Sequence, residues 1–478
     1  MSKEIIDGFY KILKNIKVPE NMLKRGLLGL NEIINSIEDL FSQQKPPEKG
    51  WNDSQIKFLL GILASLDTNN DIKTFKIGER EGRISTPLLY DLSGGFTHGI
   101  GRSGDIKAPQ PKAIGGSILN ILTDQMVLFI IKRLGCDNIK GALTIPLSTG
   151  MALALTIRAM YNYYFQNSNQ KCEFLFLRID HKSPIKSLSL AGVKWKLIET
   201  VVGSEYEKLY PNISISQKRF IQTHGTDAVY VPIEDIEKNI NENTVGIIST
   251  TTFFPPRAPD NIKEIAKIAK ERNLIHIINN AYGIQSPLIV NMIKSAIDAG
   301  RVDSIIQSTD KNFLTPVGGS IITSPNSQNL KAITEAYPGR GSATPIIHLF
   351  VSLLSMGINK YFEYINIQQK NRKLLEELLT DVARKYNERV LNINNPIACT
   401  MSLSNFNVTQ LENLKGYLYH MRVTGPRVLI PSLNSFGSSI NNYSVPYIVM
   451  NAAIGTDEKD IIGAVDKLDK ALNDIKSK

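Results

Sequence analysis

Six stretches of this chain are near-continuous apolar runs rich in β-branched residues: "GALTIPL", "CEFLFLRID", "TVGIISTTT", "IHIINN", and the two arms of "VDSIIQSTDKNFLTPVGGSIITS". Helical patterns such as "PKAIGGSILNILTDQMVLFIIKRLG" and "NIKEIAKIAKERN" alternate with them. A strand that is apolar on both sides must be covered on both sides, so the alternation predicts an α/β fold built on a mostly parallel central sheet. Sheets of this kind hold ligands at the carboxyl ends of their strands. The last pair of strands is joined by Asp310 and Lys311, followed by Pro316 and Gly318-Gly319. A lysine at that strand end is badly placed for mere solubility and is aimed at a ligand that needs an amine.

Outside this block, residues 1–50 alternate apolar and charged positions at helical spacing up to Pro46-Pro47, which predicts a helical N-terminal extension. Residues 51–358 form the catalytic domain. A long amphipathic pattern at 360–390, followed by mixed strand and helix, marks 359–478 as a small α/β C-terminal domain. The 478 residues, 42% hydrophobic and 21% charged, suit a large packed core. No apolar run is read as long enough to span a bilayer, and the N-terminus lacks the features of a secretory signal, so a cytoplasmic protein is expected. The three cysteines, Cys136, Cys172 and Cys399, show no CxxC spacing, which favours buried thiols over a metal site or a disulfide framework. A formal charge of +10 points to a polyanionic partner.

"GIGRSG", Gly99 to Gly104, has the letters of a dinucleotide fingerprint, but Pro109 and Pro111 follow where a helix should open, so that reading is rejected. What remains is a glycine loop bearing the donors Arg102, Ser103, Gln110 and Lys112. Ser148, Thr149 and Gly150 follow a strand and open a helix, an arrangement that serves as a phosphate site or as an ordinary cap. His181 and Lys182, and Asn279, Asn280 and Tyr282, end two further strands. Ser148/Thr149, His181, Asn279 and Lys311 therefore converge on one sheet edge. A phosphate cup, an aromatic lid, a polar partner for a ring nitrogen and an amine are the parts that hold pyridoxal 5'-phosphate as a Schiff base. Arg80 and Arg83 in "GEREGR", Arg102, and Arg340 in "YPGRGS" add guanidinium forks for a substrate carrying its own phosphate.

Together "GEREGR", "HGIGRSGD…QPK", "RIDHKS", "NNAYG", "QSTDKNF…PVGG" and "YPGR" resemble the O-phosphoseryl-tRNA:selenocysteinyl-tRNA synthase family of archaea and eukaryotes, from about Trp51 into the C-terminal domain. The resemblance implies a fold-type-I, aminotransferase-like pyridoxal-phosphate transferase, assembled as a homotetramer (a dimer of dimers). It implies Lys311 as the Schiff-base lysine and general base, and Arg102, Ser103, Gln110 and Arg340 as ligands of the phosphoseryl phosphate. It further implies Arg80 as an essential arginine, and Ser148, Thr149, Gly150, His181 and Asn279 as cofactor contacts, with Asn279 facing the pyridine nitrogen. The animal form has glutamine where this chain has His181. The implied reaction uses tRNA(Sec) carrying O-phosphoserine: phosphate is eliminated to give dehydroalanyl-tRNA, and selenium from selenophosphate adds to the β-carbon. The lysine-rich N-terminal extension with Lys24 and Arg25, and the segment "HMRVTGPRV" with Arg422 and Arg427, are placed on the tRNA by the same likeness.

Two other readings stand beside this one. Another fold-type-I enzyme of β-elimination or β-replacement on a phosphorylated amino acid would use the same site; the sulfur-handling members would need a cysteine on a mobile loop. A non-catalytic tRNA-binding scaffold would have no need of Lys311.

Overall fold

The computed structural model describes residues 2–165, 172–251 and 253–477. Two compact units make up the chain: Met1–Ile130 with Pro338–Tyr361, and Ile131–Tyr337 with Phe362–Lys478.

In the first unit, helices Ser2–Leu13 and Glu20–Gln43 pack on one another, as the N-terminal periodicity implies. Helix Asp53–Ser65 opens with a capping box, in which Asn52 Oδ1 accepts from Gln55 N at 3.0 Å and Gln55 Oε1 from Asn52 N at 3.2 Å. Helix Ile114–Arg133 amends one expectation, because its length and composition do suffice to cross a membrane. A run of uninterrupted apolar letters is not needed; a few polar residues among many apolar ones give the same average. Most of this helix is buried, including Leu119, Leu122, Met126, Val127 and Ile130, as in a core helix. Asp124 and Asn120 on it each hold Lys107 Nζ at 2.5 Å and so anchor the segment after the glycine loop. A helical run Thr344–Lys385 is broken at Gly357, so the amphipathic helix expected near 360–390 is its second part.

Among the described residues the second unit carries the strands β1 (Gly141–Ile145), β2 (Glu173–Leu177), β3 (Lys194–Ile198), β4 (Val201–Val202), β5 (Val229–Tyr230), β6 (Thr244–Thr250), β7 (Ile275–Asn279), β8 (Ser304–Ser308), β9 (Ser320–Ser324), β10 (Ala398–Ser402), β11 (Arg427–Leu429) and β12 (Tyr447–Asn451). Thr252, the last residue of one expected strand, lies outside the described residues. The main sheet runs β1-β9-β8-β7-β6-β2-β3, parallel except at β9, which is antiparallel to both neighbours. Every residue of β6, β7, β8 and β9 is buried. Successive side chains point to opposite faces, so both faces are covered. Helix Thr149–Phe165 contacts β7, β8 and β9 and packs against Lys182–Ala191 and Ser327–Ala336; helix Ile262–Glu271 contacts β6 and β7 and packs against Pro287–Ala299. A smaller antiparallel sheet, β10-β12-β11, shares a core with helices Val408–His420 and Glu458–Lys476 through Met401, Leu414, Ile448, Leu468 and Leu472. β4 and β5 form a separate ribbon.

One buried polar side chain inside this sheet has both of its ring nitrogens met. His276 on β7 is fully buried, with Nε2 at 2.8 Å from Ser249 Oγ and Nδ1 at 3.0 Å from the Arg301 carbonyl oxygen. Burial pushes its pKa down to about 4. The imidazole is therefore neutral in the fold and charged in the unfolded chain below its ordinary value. The stability it contributes is complete above about pH 6.5 and is lost as pH falls toward 4, by up to about 1.4 kcal/mol per pH unit. Urea titrations between pH 7 and pH 4 should show His276→Asn less stable than wild type at pH 7, with an acid slope shallower by about one proton. An unchanged slope would show that His276 does not remain neutral.

Candidate active site

The carboxyl ends of the main-sheet strands deliver the residues picked out in the sequence. Ser148 and Thr149 follow β1, with Thr149 opening the 17-residue helix Thr149–Phe165. His181 follows β2, Asn279 closes β7, and Lys311 follows β8 on the short helix Thr309–Phe313, which replaces the plain turn expected there. They line two adjoining cavities. The smaller, about 180 Å³, is walled by Ser148, Thr149, Gly150, His181, Asn279 and Lys311. The larger, about 360 Å³, shares His181, Asn279, Asp310 and Lys311 and adds the apolar side chains of Ile179, Phe253, Phe254, Tyr282, Ile397 and Ile454.

Lys311 Nζ lies 3.3 Å from Asp310 Oδ2 and 3.4 Å from Ser308 Oγ, with about half of the side chain (47%) still open. Its backbone is pinned from behind by fully buried Gln285, which donates from Nε2 to the Lys311 carbonyl at 2.8 Å and accepts at Oε1 from Ile454 N at 2.8 Å. The His181 ring meets Phe253 edge-to-face at 5.9 Å. Partial burial of that ring, then the positive charges of Arg427 and Lys311, hold its pKa below the ordinary imidazole value. Before it, Asp180 accepts from Arg178 Nε (3.1 Å), Gly437 N (3.0 Å) and Ser439 N (2.8 Å), which fixes the strand end that carries His181.

Whether these residues fit pyridoxal phosphate is answered by their unmet polar atoms. Among the described residues, Thr149 Oγ1 and Asn279 Oδ1 are buried without a hydrogen-bond partner. A Cβ on Gly150 would come 2.2 Å from Ser183 Oγ, so bulk at the helix N-terminus is excluded. A helix N-terminus with a free hydroxyl, a buried amide oxygen and an accessible amine around one cavity suit the phosphate, the ring and the aldehyde of that cofactor.

The arginine group lies in the first unit. Gly99 (φ +69°) and Gly101 (φ +71°) are needed there, because a Cβ would come 2.2 Å from the Gly341 oxygen or 2.3 Å from the Ile106 oxygen. Ile100 and Gly341 exchange backbone hydrogen bonds of 2.9 and 3.1 Å, which sets the strand of Arg102 and Ser103 beside that of Arg340. Gln110 N donates to Ser117 Oγ at 3.0 Å, and Lys112 meets Glu81 at 2.5 Å, tying in the segment of Arg80. Arg80 itself is exposed beside Glu79, 3.3 Å away. The sequence reading missed His98 in this cluster. It is 4% exposed, neither ring nitrogen has a partner, and burial and the Arg340 charge lower its pKa. Of the residues placed on tRNA, Lys24 pairs with Glu20 at 2.7 Å and Arg25 is exposed on the same helix. Arg422, at φ +61°, lines a cavity of about 660 Å³ together with Lys459 and Lys467. Tyr282, expected at this sheet edge, lines the larger cavity, whereas Phe253, Phe254 and Gln285 were not read as parts of it, since a pocket wall leaves no spacing signal.

This fold, with a lysine after β8 at the edge of a covered parallel sheet, is that of the fold-type-I pyridoxal-phosphate enzymes. At 13% identity the structure described as Oryza sativa TDC with PLP and tryptamine shares the fold, with a TM-score of 0.54 over 96% of this chain and 99% of that one. The crystal structure of an archaeal O-phosphoseryl-tRNA(Sec) selenium transferase superposes with a TM-score of 0.85 at 40% identity, over 95% of this chain and 98% of that one. The enzyme of that name from Methanococcus maripaludis is 41% identical over 461 residues, 95% of this chain and 98% of its own length. The family model for O-phosphoseryl-tRNA(Sec) selenium transferase, SepSecS, matches residues 66–473. The chain belongs to that family.

Replacing Gln285 with leucine leaves the buried Ile454 N–H unpaired, at a cost of about 1–3 kcal/mol. The expected loss of about 2 kcal/mol should appear in urea denaturation as a lower midpoint with unchanged slope; no change would show that the Gln285 bridge is not structural.

Proposed function

We propose that this chain converts O-phosphoseryl-tRNA(Sec) to selenocysteinyl-tRNA(Sec), drawing selenium from selenophosphate. Membership of the selenium transferase family supports the reaction. The observation that carries it is the open amine of Lys311 in a cavity that also presents the unpartnered Thr149 and Asn279 oxygens. Pyridoxal 5'-phosphate, when bound, supplies an electron sink for negative charge at the α-carbon of an amino acid.

The chain's own residues divide the remaining work. Ser148, Thr149 and Gly150 would hold the cofactor phosphate, and Asn279 and His181 would hold its ring. Lys311 would anchor the cofactor through Nζ, and its amine is placed to take the α-proton of the substrate. Asp310, 3.3 Å away, orients it. Arg102, Ser103, Gln110 and Arg340 grip the phosphate of the phosphoseryl group, and Arg80 assists. That grip favours breaking the Cβ–O bond, with the phosphate leaving as an anion held by guanidinium groups. A Cβ–Se bond then forms at the dehydroalanyl carbon while the α-carbon regains a proton from the Lys311 amine, and water cleaves the Se–P bond of selenophosphate, releasing inorganic phosphate.

A homotetramer is part of the same proposal. Ile72, Phe75 and Ile77 are 95–96% exposed within one short segment, which suits an interface between subunits. The segment 1–50 would serve assembly and tRNA contacts, with Lys24 and Arg25, while 51–358 would carry catalysis and 359–478, with Arg422, the small domain. A tRNA substrate accords with the net charge of +10 and with a cytoplasmic location.

The test is mass spectrometry of the amino acid on phosphoseryl-tRNA(Sec) after incubation with cofactor-loaded protein and selenophosphate. Wild type should yield selenocysteine, and Lys311→Ala none, with activity reduced at least a thousandfold. Unchanged phosphoserine with the loaded wild type would overturn the proposal.

A further inference from the structure

Arg427 opens β11 with its guanidinium 4.3 Å above the ring of Phe254. Phe254 lines the larger cavity beside Lys311, and the Arg427 charge is felt at His181 and Tyr282, which line it too. Among the described residues no hydrogen bond or ion pair engages this guanidinium, although it is half-buried. The acids nearby are committed elsewhere. Asp310 takes Lys311, and Asp180 takes Arg178 and the backbone N–H groups of Gly437 and Ser439. Gly437, at φ +115°, leaves the space; a Cβ there would come 3.3 Å from Arg427 Nη2. A guanidinium cannot shed its proton, and one placed over an aromatic ring still has N–H donors to offer.

We propose that Arg427 is a substrate-binding residue that receives the oxygen on the carbonyl carbon of the substrate amino acid. The inference rests on the reading that Lys311 anchors the cofactor for a phosphoseryl ester. In such an ester the group beside the α-carbon is a carbonyl, and in a free amino acid it is a carboxylate; both present oxygen to a planar fork. Arg427 reaches the chamber's edge through Phe254, and the chamber wall of Ile179, Phe253, Phe254, Ile397 and Ile454 is unsuited to a run of nucleic-acid phosphates. Arg427, placed on the tRNA body in the sequence reading, is thereby moved to its aminoacyl end.

The test uses cofactor-loaded protein, Arg427→Ala and Arg427→Lys, with unfolding midpoints confirming that each variant is folded. Calorimetric titration with free O-phospho-L-serine should show at least tenfold weaker binding for Arg427→Ala and an intermediate loss for Arg427→Lys, which keeps the charge without the fork. With phosphoseryl-tRNA, KM should rise about tenfold in Arg427→Ala with kcat changed less, as for a contact made before and during reaction. The dependence of log(kcat/KM) on log salt concentration should keep its slope. Unchanged titration and kinetics would overturn the proposal. So would a slope lower by about one, which marks loss of a phosphodiester contact. Failure of wild type to make selenocysteine would overturn the reaction assigned above, yet the titration would still decide Arg427. Normal conversion with an indifferent Arg427→Ala would overturn this inference alone.

Discussion

Burial of both faces of the central strands governs everything else in the second unit. Where β6, β7, β8 and β9 leave no residue exposed, polar chemistry can be placed only at strand ends. The first turn of helix Thr149–Phe165 and the residues after β2, β7 and β8 all come to that edge because the strands before them are parallel. The apolar sheet thus acts as the rigid base that holds Lys311, Asn279 and His181 at fixed separations.

The loops at that edge depend on buried charged groups that are paired. Arg257, about 1% exposed, donates from Nε to the Arg178 carbonyl at 2.8 Å and pairs with Asp260, whose other oxygen accepts from Thr250 N at 2.7 Å. That pair closes the turn after β6, which carries the aromatic wall of Phe253 and Phe254. Removing one partner from such a pair would leave an uncompensated buried charge, at a cost of about 3–5 kcal/mol. Asp180 does similar work on the other side, and its saturation is what leaves Arg427 without a carboxylate. The chemistry of the chamber therefore follows from which charges the fold has already consumed.

Much of this was legible in the chain because the signals were local. β1, β2 and β6 to β9 stand out as apolar runs, and the residues after them are the site candidates. β3 was missed: it is an edge strand whose lysines 194 and 196 face solvent, so its pattern does not read as a buried run. The letters of "GIGRSG" were read as a glycine loop, and the positive φ values of Gly99 and Gly101 show their use in close backbone packing against Gly341 and Ile106. His98, Gln285, Phe254 and Arg427 act through neighbours far away in sequence, Gln285 bridging to Ile454 across 169 residues. No periodicity encodes such contacts. The resemblance to the family supplied roles for Arg102 and Arg340 that spacing alone could not assign.

The central claim is that Lys311, held at the end of β8, is the amine that carries the cofactor. Borohydride reduction of protein loaded with pyridoxal phosphate, followed by proteolysis and peptide mass mapping, tests it most directly. The account predicts one reduced pyridoxyl adduct, on the peptide containing Lys311. An adduct on a different lysine, or stable loading with no adduct on Lys311, would contradict it.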